Sequence, residues 1–144
     1  MPQDTGPFLQ MAVFCESVLR EVDGRVSLIR LVDQLNVAGA LKEMQPQPVT
    51  LHMVVGFKAG MAHGKYTIRV AGTLPQSGTE LIAAEQGVYF EGEDRGVNAI
   101  FVLNMVLPEE GAYWFDVLLQ GVPVTRVPLR IMYQQMVAPP GFPS

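Results

Sequence analysis

The amino-acid sequence predicts an all-β protein folded as an antiparallel two-sheet sandwich of about 7–8 strands, with at most short helical turns. Three observations carry that expectation. Turn-forming residues recur at 23–24, 45–48, 60–64, 75–78, 92–96, 108–111 and 121–123, and the runs between them are short and rich in Val, Ile, Leu, Phe and Tyr. Several runs alternate apolar and polar residues with a period of two, which puts successive side chains on opposite faces of a strand. Charged residues make up only 17% of the chain and apolar ones 49%, a balance that calls for strands covered on both faces or a surface covered by a partner.

The 144 residues suffice for one domain that buries its own core without a disulfide or a metal. Residues 1–7 (with Pro2, Gly6 and Pro7) and 138–144 (A-P-P-G-F-P-S) read as flexible tails flanking a single domain over 8–137, because proline removes ladder donors. The N-terminal third fits two descriptions. Phe8, Met11, Cys15, Val18, Leu19 and Val22, then Leu28, Leu31, Val32 and Leu35, suit a helical stripe. Asp23-Gly24 instead signals a two-residue type I′ hairpin, whose central residues both need positive φ. We read 10–22 and 25–37 as a strand pair, with a helical hairpin packed on the sheet as the alternative, and 38–44 as a short helical turn.

Further along, Tyr66, Ile68 and Val70 share one face opposite Thr67 and Arg69. The run 97–107 is apolar on both faces and reads as a strand in the middle of a sheet; Asn104 interrupts it and, if buried, needs partners for its amide. In 113–119, Tyr113, Phe115, Val117 and Leu119 take the core face, which turns Trp114 and Leu118 outward beside Asp116. In the last run Val127, Leu129, Ile131 and Tyr133 alternate with Arg126, Pro128, Arg130 and Met132. Pro128 assigns that strand to an edge or a bulge, since it cannot donate to a ladder.

M-A-V-F-C-E-S-V-L-R-E-V-D-G-R-V-S-L-I (11–29) resembles the opening of a family of small bacterial proteins of unknown function. G-A-Y-W-F-D-V-L-L-Q-G (111–121) and V-P-L-R-I (127–131) resemble its closing strands. The resemblance spans about a third of the chain. It implies an immunoglobulin-like or C2-like sandwich and brings no activity and no catalytic residue. The pattern G-x-Y-x-φ-x-V, shared by 64–70 and 111–117, is similar to the tyrosine-bearing strand of immunoglobulin-like domains, although the cysteine pair and core tryptophan of antibody domains are missing.

The chemistry-bearing residues are sparse. Net charge is −4 and the ten Lys and Arg residues are scattered, so the basic stripe of a nucleic-acid binder is absent. No apolar run reaches the ~18 residues of a membrane span. The lone Cys15, in M-A-V-F-C, reads as a buried small hydrophobe. With a start that lacks signal-peptide character, it leads us to expect a cytoplasmic protein. His52 and His63 stand eleven residues apart, outside zinc spacings; we read them as a sheet residue and a loop residue.

Glu91, Glu93 and Asp94 are weak calcium candidates, since carboxylates on sandwich end loops supply oxygens, but Arg95 offers a countercharge and a solvated turn is the simpler reading. No nucleophile elbow or phosphate loop is present, and no catalytic residue, cofactor or metal is expected. The remaining feature is an outward patch of Trp114, Leu118 and Met132, which reads as a partner-binding surface, unless the N-terminal segment covers it. The expected function is a non-enzymatic protein-binding or scaffold module whose partner is a protein, a second copy included. The alternative is a sandwich that captures a carbohydrate, a lipid or Ca²⁺ at end loops through Trp114, Tyr89 or the 91–96 loop.

Overall fold

The alternation resolves into two sheets packed face to face. The structure is a computed structural model and describes residues 5–136; residues 1–4 of the expected N-terminal tail and all of the expected C-terminal tail, 138–144, lie outside the described residues. Nine strands and no helix form among the described residues: β1 (Phe8–Arg20), β2 (Val26–Val32), β3 (Gln34–Gly39), β4 (Gln47–Lys58), β5 (His63–Thr73), β6 (Glu80–Glu91), β7 (Gly96–Leu107), β8 (Gly111–Leu119) and β9 (Val122–Gln135). They build a four-stranded sheet, β2-β1-β4-β7 (sheet A), and a five-stranded sheet, β3-β9-β8-β5-β6 (sheet B). The expected all-β sandwich is therefore present, with nine strands in place of seven or eight. Pairing is antiparallel throughout except for β3 and β9, which run parallel.

The core lies between the sheets. Met53, Val55 and Phe57 of β4 and Phe101 and Leu103 of β7 face Val70, Phe115, Val117 and Leu129 of sheet B. Phe14 and Phe115 meet edge to face across the layers at 4.9 Å between ring centroids. Phe115 also covers Gly72 on the neighbouring strand, where a Cβ would lie 2.5 Å from the ring. Tyr113 is fully buried. Its hydroxyl donates to the carbonyl of Glu109 and accepts from the Glu109 N–H at 3.1 Å, tying the turn before β8 to the core. Burial pushes the Tyr113 phenol above its ordinary range; the bond to the Glu109 backbone opposes this weakly and the Glu109 charge adds to it.

Five readings of individual segments need correction. The Asp23-Gly24 turn is not a two-residue type I′ hairpin. Gly24 has φ 88° and Asp23 does not have positive φ. The Gly24 N–H bonds the Glu21 carbonyl at 3.0 Å and the Glu21 N–H bonds the Arg25 carbonyl at 2.7 Å, which is the three-residue loop with a left-handed final residue.

The run 25–37 is not one strand: it divides at Asp33. β2 stays on β1 in sheet A, and β3 crosses to sheet B beside β9. The apolar phase records the crossing, because Leu28 and Val32 occupy even positions and the core-packed Leu35 and Val37 odd ones. Residues 40–43 are bends, and no helical turn forms in 38–44.

Finally, β7 is an edge strand of sheet A, not a central one. Its odd positions enter the core, while Val102 and Val106 on its other face are 55% and 56% exposed. Asn104 is exposed and accepts from the Thr50 hydroxyl at 2.7 Å. β9 is not an edge strand, since it lies between β3 and β8, and the register shift of the β8–β9 pair is not at Pro128; the proline is accommodated because the β3 pairing begins only at Arg130, which leaves Pro128 a strand neighbour on one side alone.

Candidate functional site

Each sheet has one face in the core and one face outside, and the two outer faces differ in chemistry. On sheet B the outward positions carry charge. Arg69 bridges Glu80 at 3.1 Å and Glu85 at 3.2 Å, and Arg126 bridges Asp116 at 3.1 Å. These groups are solvent-exposed, so each pair contributes about 0–1 kcal/mol; their significance is that the face is charged and wet.

The predicted patch lies on this side. Trp114 is 37% exposed, and the Arg126 guanidinium stands 5.0 Å from its ring centroid, an arrangement that satisfies the π face with a cation. Leu118 is half-buried beside Arg69, and Met132 is 44% exposed, paired with Asn36. Trp114 faces Pro128, four residues before Met132, so the two stand roughly 13 Å apart along the strand direction. All three residues point outward, and the structure does not bring them together. The N-terminal segment does not cover them, because β1 and β2 belong to sheet A.

Glu91 and Glu93 both turn to Arg95, at 2.9 and 3.5 Å, and the Asp94 N–H bonds the Gly60 carbonyl at 3.1 Å. Gly92, Glu93 and Asp94 have φ of 68°, 54° and 58°, a tight left-handed run that turns the chain from β6 to β7. Among the described residues no group of three or more His, Cys, Asp or Glu side chains is placed to hold a metal. His52 stands on β4 in sheet A and His63 opens β5 in sheet B.

The outer face of sheet A is of another kind. Strand register lines up Leu31, Cys15, His52 and Val102 in one row across all four strands. Val13, Val54 and Ile100 form the next row, and Met11, Gly56 and Asn98 the one beyond. Ile29 and Ser17 pair on the other side of the first row, toward Thr50 and Asn104. Gly56 lets this last part close tightly, since a Cβ there would lie 2.8 Å from Asn98 Oδ1 and 3.2 Å from Met11 Cγ.

The side chains shield one another unevenly. Cys15 and Val54, in the middle of the sheet, are fully buried, yet neither belongs to the inter-sheet core. Leu31 and Val102, at the two margins, are 67% and 55% exposed. Of the outward positions on β1, β2, β4 and β7, Lys58 at one end is the sole Asp, Glu, Lys or Arg. Burial holds the Cys15 thiol above its ordinary pKa of 9.0, against a smaller lowering by a backbone bond from Ile29, so it sits in this face as a protonated apolar group. The His52 Nδ1 is 3.0 Å from the Glu16 carbonyl; the carbonyl can only accept, so Nδ1 donates to it.

Where the strands change sheet, an apolar groove of about 350 Å³ continues this surface, lined by Val13, Phe14, Leu31, Val32, Val127 and Pro128 with Asp33 at its margin. The sequence pattern missed the face because it read the apolar second side of 97–107 as burial inside a sheet. The available signal was the absence of charge at the odd positions 11–19 of β1 and the even positions 50–56 of β4 and 98–106 of β7, which becomes visible only once register aligns them.

A family model described as "Family of unknown function (DUF6941)" matches residues 10–132. No curated protein matches the chain.

Proposed function

We propose that this chain, which belongs to the DUF6941 family of unknown function, is a non-enzymatic protein-binding module that docks its partner on the outer face of sheet A. One observation carries the reading: a contiguous four-stranded face without internal charge, whose margins expose Leu31 and Val102 by more than half. An exposed apolar patch of this extent on a protein surface marks an interaction site, and proteins bind such faces by packing apolar side chains against them. The groups with displaced ionisation, Cys15 and Tyr113, owe the displacement to burial, and Tyr113 is bonded to its own turn; both fit structural roles.

The strand order supports an immunoglobulin-like reading of the sandwich. β9-β8-β5-β6 matches the G-F-C-C′ arrangement and β1-β4-β7 the A-B-E strands, with β2 as an additional strand outside β1.

Site-specific photocrosslinking distinguishes the two outer faces. p-Benzoylphenylalanine is placed at position 102 or at position 114 and the protein is irradiated in its host cells. A polypeptide adduct from position 102, and none from position 114, is the expected result. Adducts from 114 alone, or none from 102, would overturn the assignment of the docking surface to sheet A.

A further inference from the structure

We infer that the partner seated on the outer face of sheet A is a second copy of this chain, so that the protein is a two-fold dimer with its two A sheets face to face; this rests on the docking surface proposed above. Three features of the face select a copy. The first is charge. A partner of different composition is chosen by complementary charges, and this face offers none in its interior: the rows Leu31-Cys15-His52-Val102 and Val13-Val54-Ile100 hold no carboxylate, ammonium or guanidinium. Two copies therefore meet without like-charge repulsion. On sheet B, by contrast, Arg69, Glu80, Glu85, Asp116 and Arg126 would have to be desolvated.

The second feature is the polar content. Asn98, Ser17 and the Thr50–Asn104 pair are neutral hydrogen-bonding groups. Asn, Ser and Thr both donate and accept, so each can be satisfied by the same group from a copy, as a two-fold interface requires.

The third feature is area. About nine residues on each of β1, β4 and β7 and the seven of β2, at ~3.4 Å per residue and a strand spacing of ~4.8 Å, give a planar face of roughly 550 Å² before side-chain relief is added. Specific interfaces begin at roughly 600 Å² per partner, so the planar face comes close to the lower bound for a stable dimer and side-chain relief supplies the remainder. Its relief also suits the arrangement. Leu31 and Val102 stand up at the margins while Cys15 and Val54 between them lie flush, so a ridge of one copy can settle over the middle of the other at the ~10 Å separation of packed sheets.

Sedimentation equilibrium at protein concentrations up to about 100 µM tests the inference, with the full chain and three variants. Wild type is expected at twice the 15.8 kDa chain mass. Leu31→Lys and Val102→Lys alter exposed positions and should leave the fold intact, which circular dichroism and melting curves check. Because the symmetry counts each change twice, either should raise the dimer dissociation constant by about 100-fold or more. Tyr89→Lys, equally exposed but on the outer face of sheet B, should leave it unchanged. A wild-type monomer at the highest concentration overturns the inference. So does a dimer that both sheet A variants leave intact, or that Tyr89→Lys weakens as much as they do. A monomer that still gives an adduct from position 102 to a different polypeptide rejects the copy and keeps the docking face. A monomer with no adduct rejects both.

Discussion

Adding a single methyl group at Gly72 should cost this protein more than its backbone suggests. Gly72 does not have positive φ, so alanine fits the strand conformation there, and it should gain about 0.4–1 kcal/mol by stiffening the unfolded chain. The opposing factor is space. A Cβ at Gly72 would lie 2.5, 2.8 and 2.9 Å from three carbons of the Phe115 ring. That ring is fully buried and held edge to face against Phe14 at 4.9 Å, so it has no free direction in which to retreat. Overpacking of this kind costs about 1–3 kcal/mol, and the net effect of Gly72→Ala is a loss of about 1–2 kcal/mol. For a domain of this size, each kcal/mol lowers Tm by about 2–4 °C.

The partner in the clash supplies the check. Phe115→Leu alone should be destabilising, but in its background Gly72→Ala should become neutral or favourable, leaving a coupling of at least about 1 kcal/mol in a double-mutant cycle measured by urea denaturation. Additive effects, or a single Gly72→Ala variant more stable than wild type, would refute the account of Phe115 as the cover of that glycine.

Two other predictions concern ionisation and backbone strain. Cys15 has a raised pKa in the folded state, caused chiefly by burial; between about pH 9 and that raised value the unfolded chain binds fewer protons than the folded one, so stability should fall with rising pH by up to about 1.4 kcal/mol per pH unit. Urea titrations at pH 8, 9 and 10 should show this slope in wild type and a shallower one in Cys15→Ala, and equal slopes would disprove it. Arg30 sits within β2 at φ 58°, where a side chain costs about 1–2 kcal/mol, and its ion pair with Glu16 at 3.1 Å is largely exposed. Both Arg30→Ala and Arg30→Gly remove that pair, yet Gly should be the more stable of the two by about 1 kcal/mol, the reverse of the usual strand order; Ala ranking above Gly in thermal melts would contradict the strain.

What the sequence disclosed depended on whether one strand or several had to be read together. The core face of β8 was legible from Tyr113, Phe115, Val117 and Leu119 alone, because burial on one side imposes a period of two within a single strand. Pro128 was informative about its own position and not about its strand: a missing donor demands a missing neighbour, and β3 begins just beyond it, but β9 as a whole lies inside sheet B. The division of 25–37 was recorded as the phase step between Val32 and Leu35, but a one-residue shift of phase is easily taken for noise until the two halves are seen on different sheets. In 97–107 the pattern stated that Val102 and Ile100 avoid water without stating what covers them. A neighbouring layer of the same chain and a separate molecule impose the same requirement on the residue, and only the sheet order, with β7 at an edge, separates them.

The low charge of the chain has a location, and that location accounts for the shape of the sequence. A soluble sandwich commonly keeps both outer faces polar so that neither competes with the core for burial. Sheet B follows this rule with its Arg69 and Arg126 bridges, and the Arg126 guanidinium lies close over the ring of its outward tryptophan. The outer face of sheet A departs from it on all four strands at once, in aligned rows, and the lone charge of that face, Lys58, is confined to one end. Scattered apolar residues on a surface need no cause, but register-matched ones on four strands that are distant in sequence do. The core gains nothing from Leu31 or Val102, which point away from it and stay more than half exposed. Their stabilising value is realised only when something lies over them, and for that reason the face, and not the exposed tryptophan, is where substitutions should separate binding from folding.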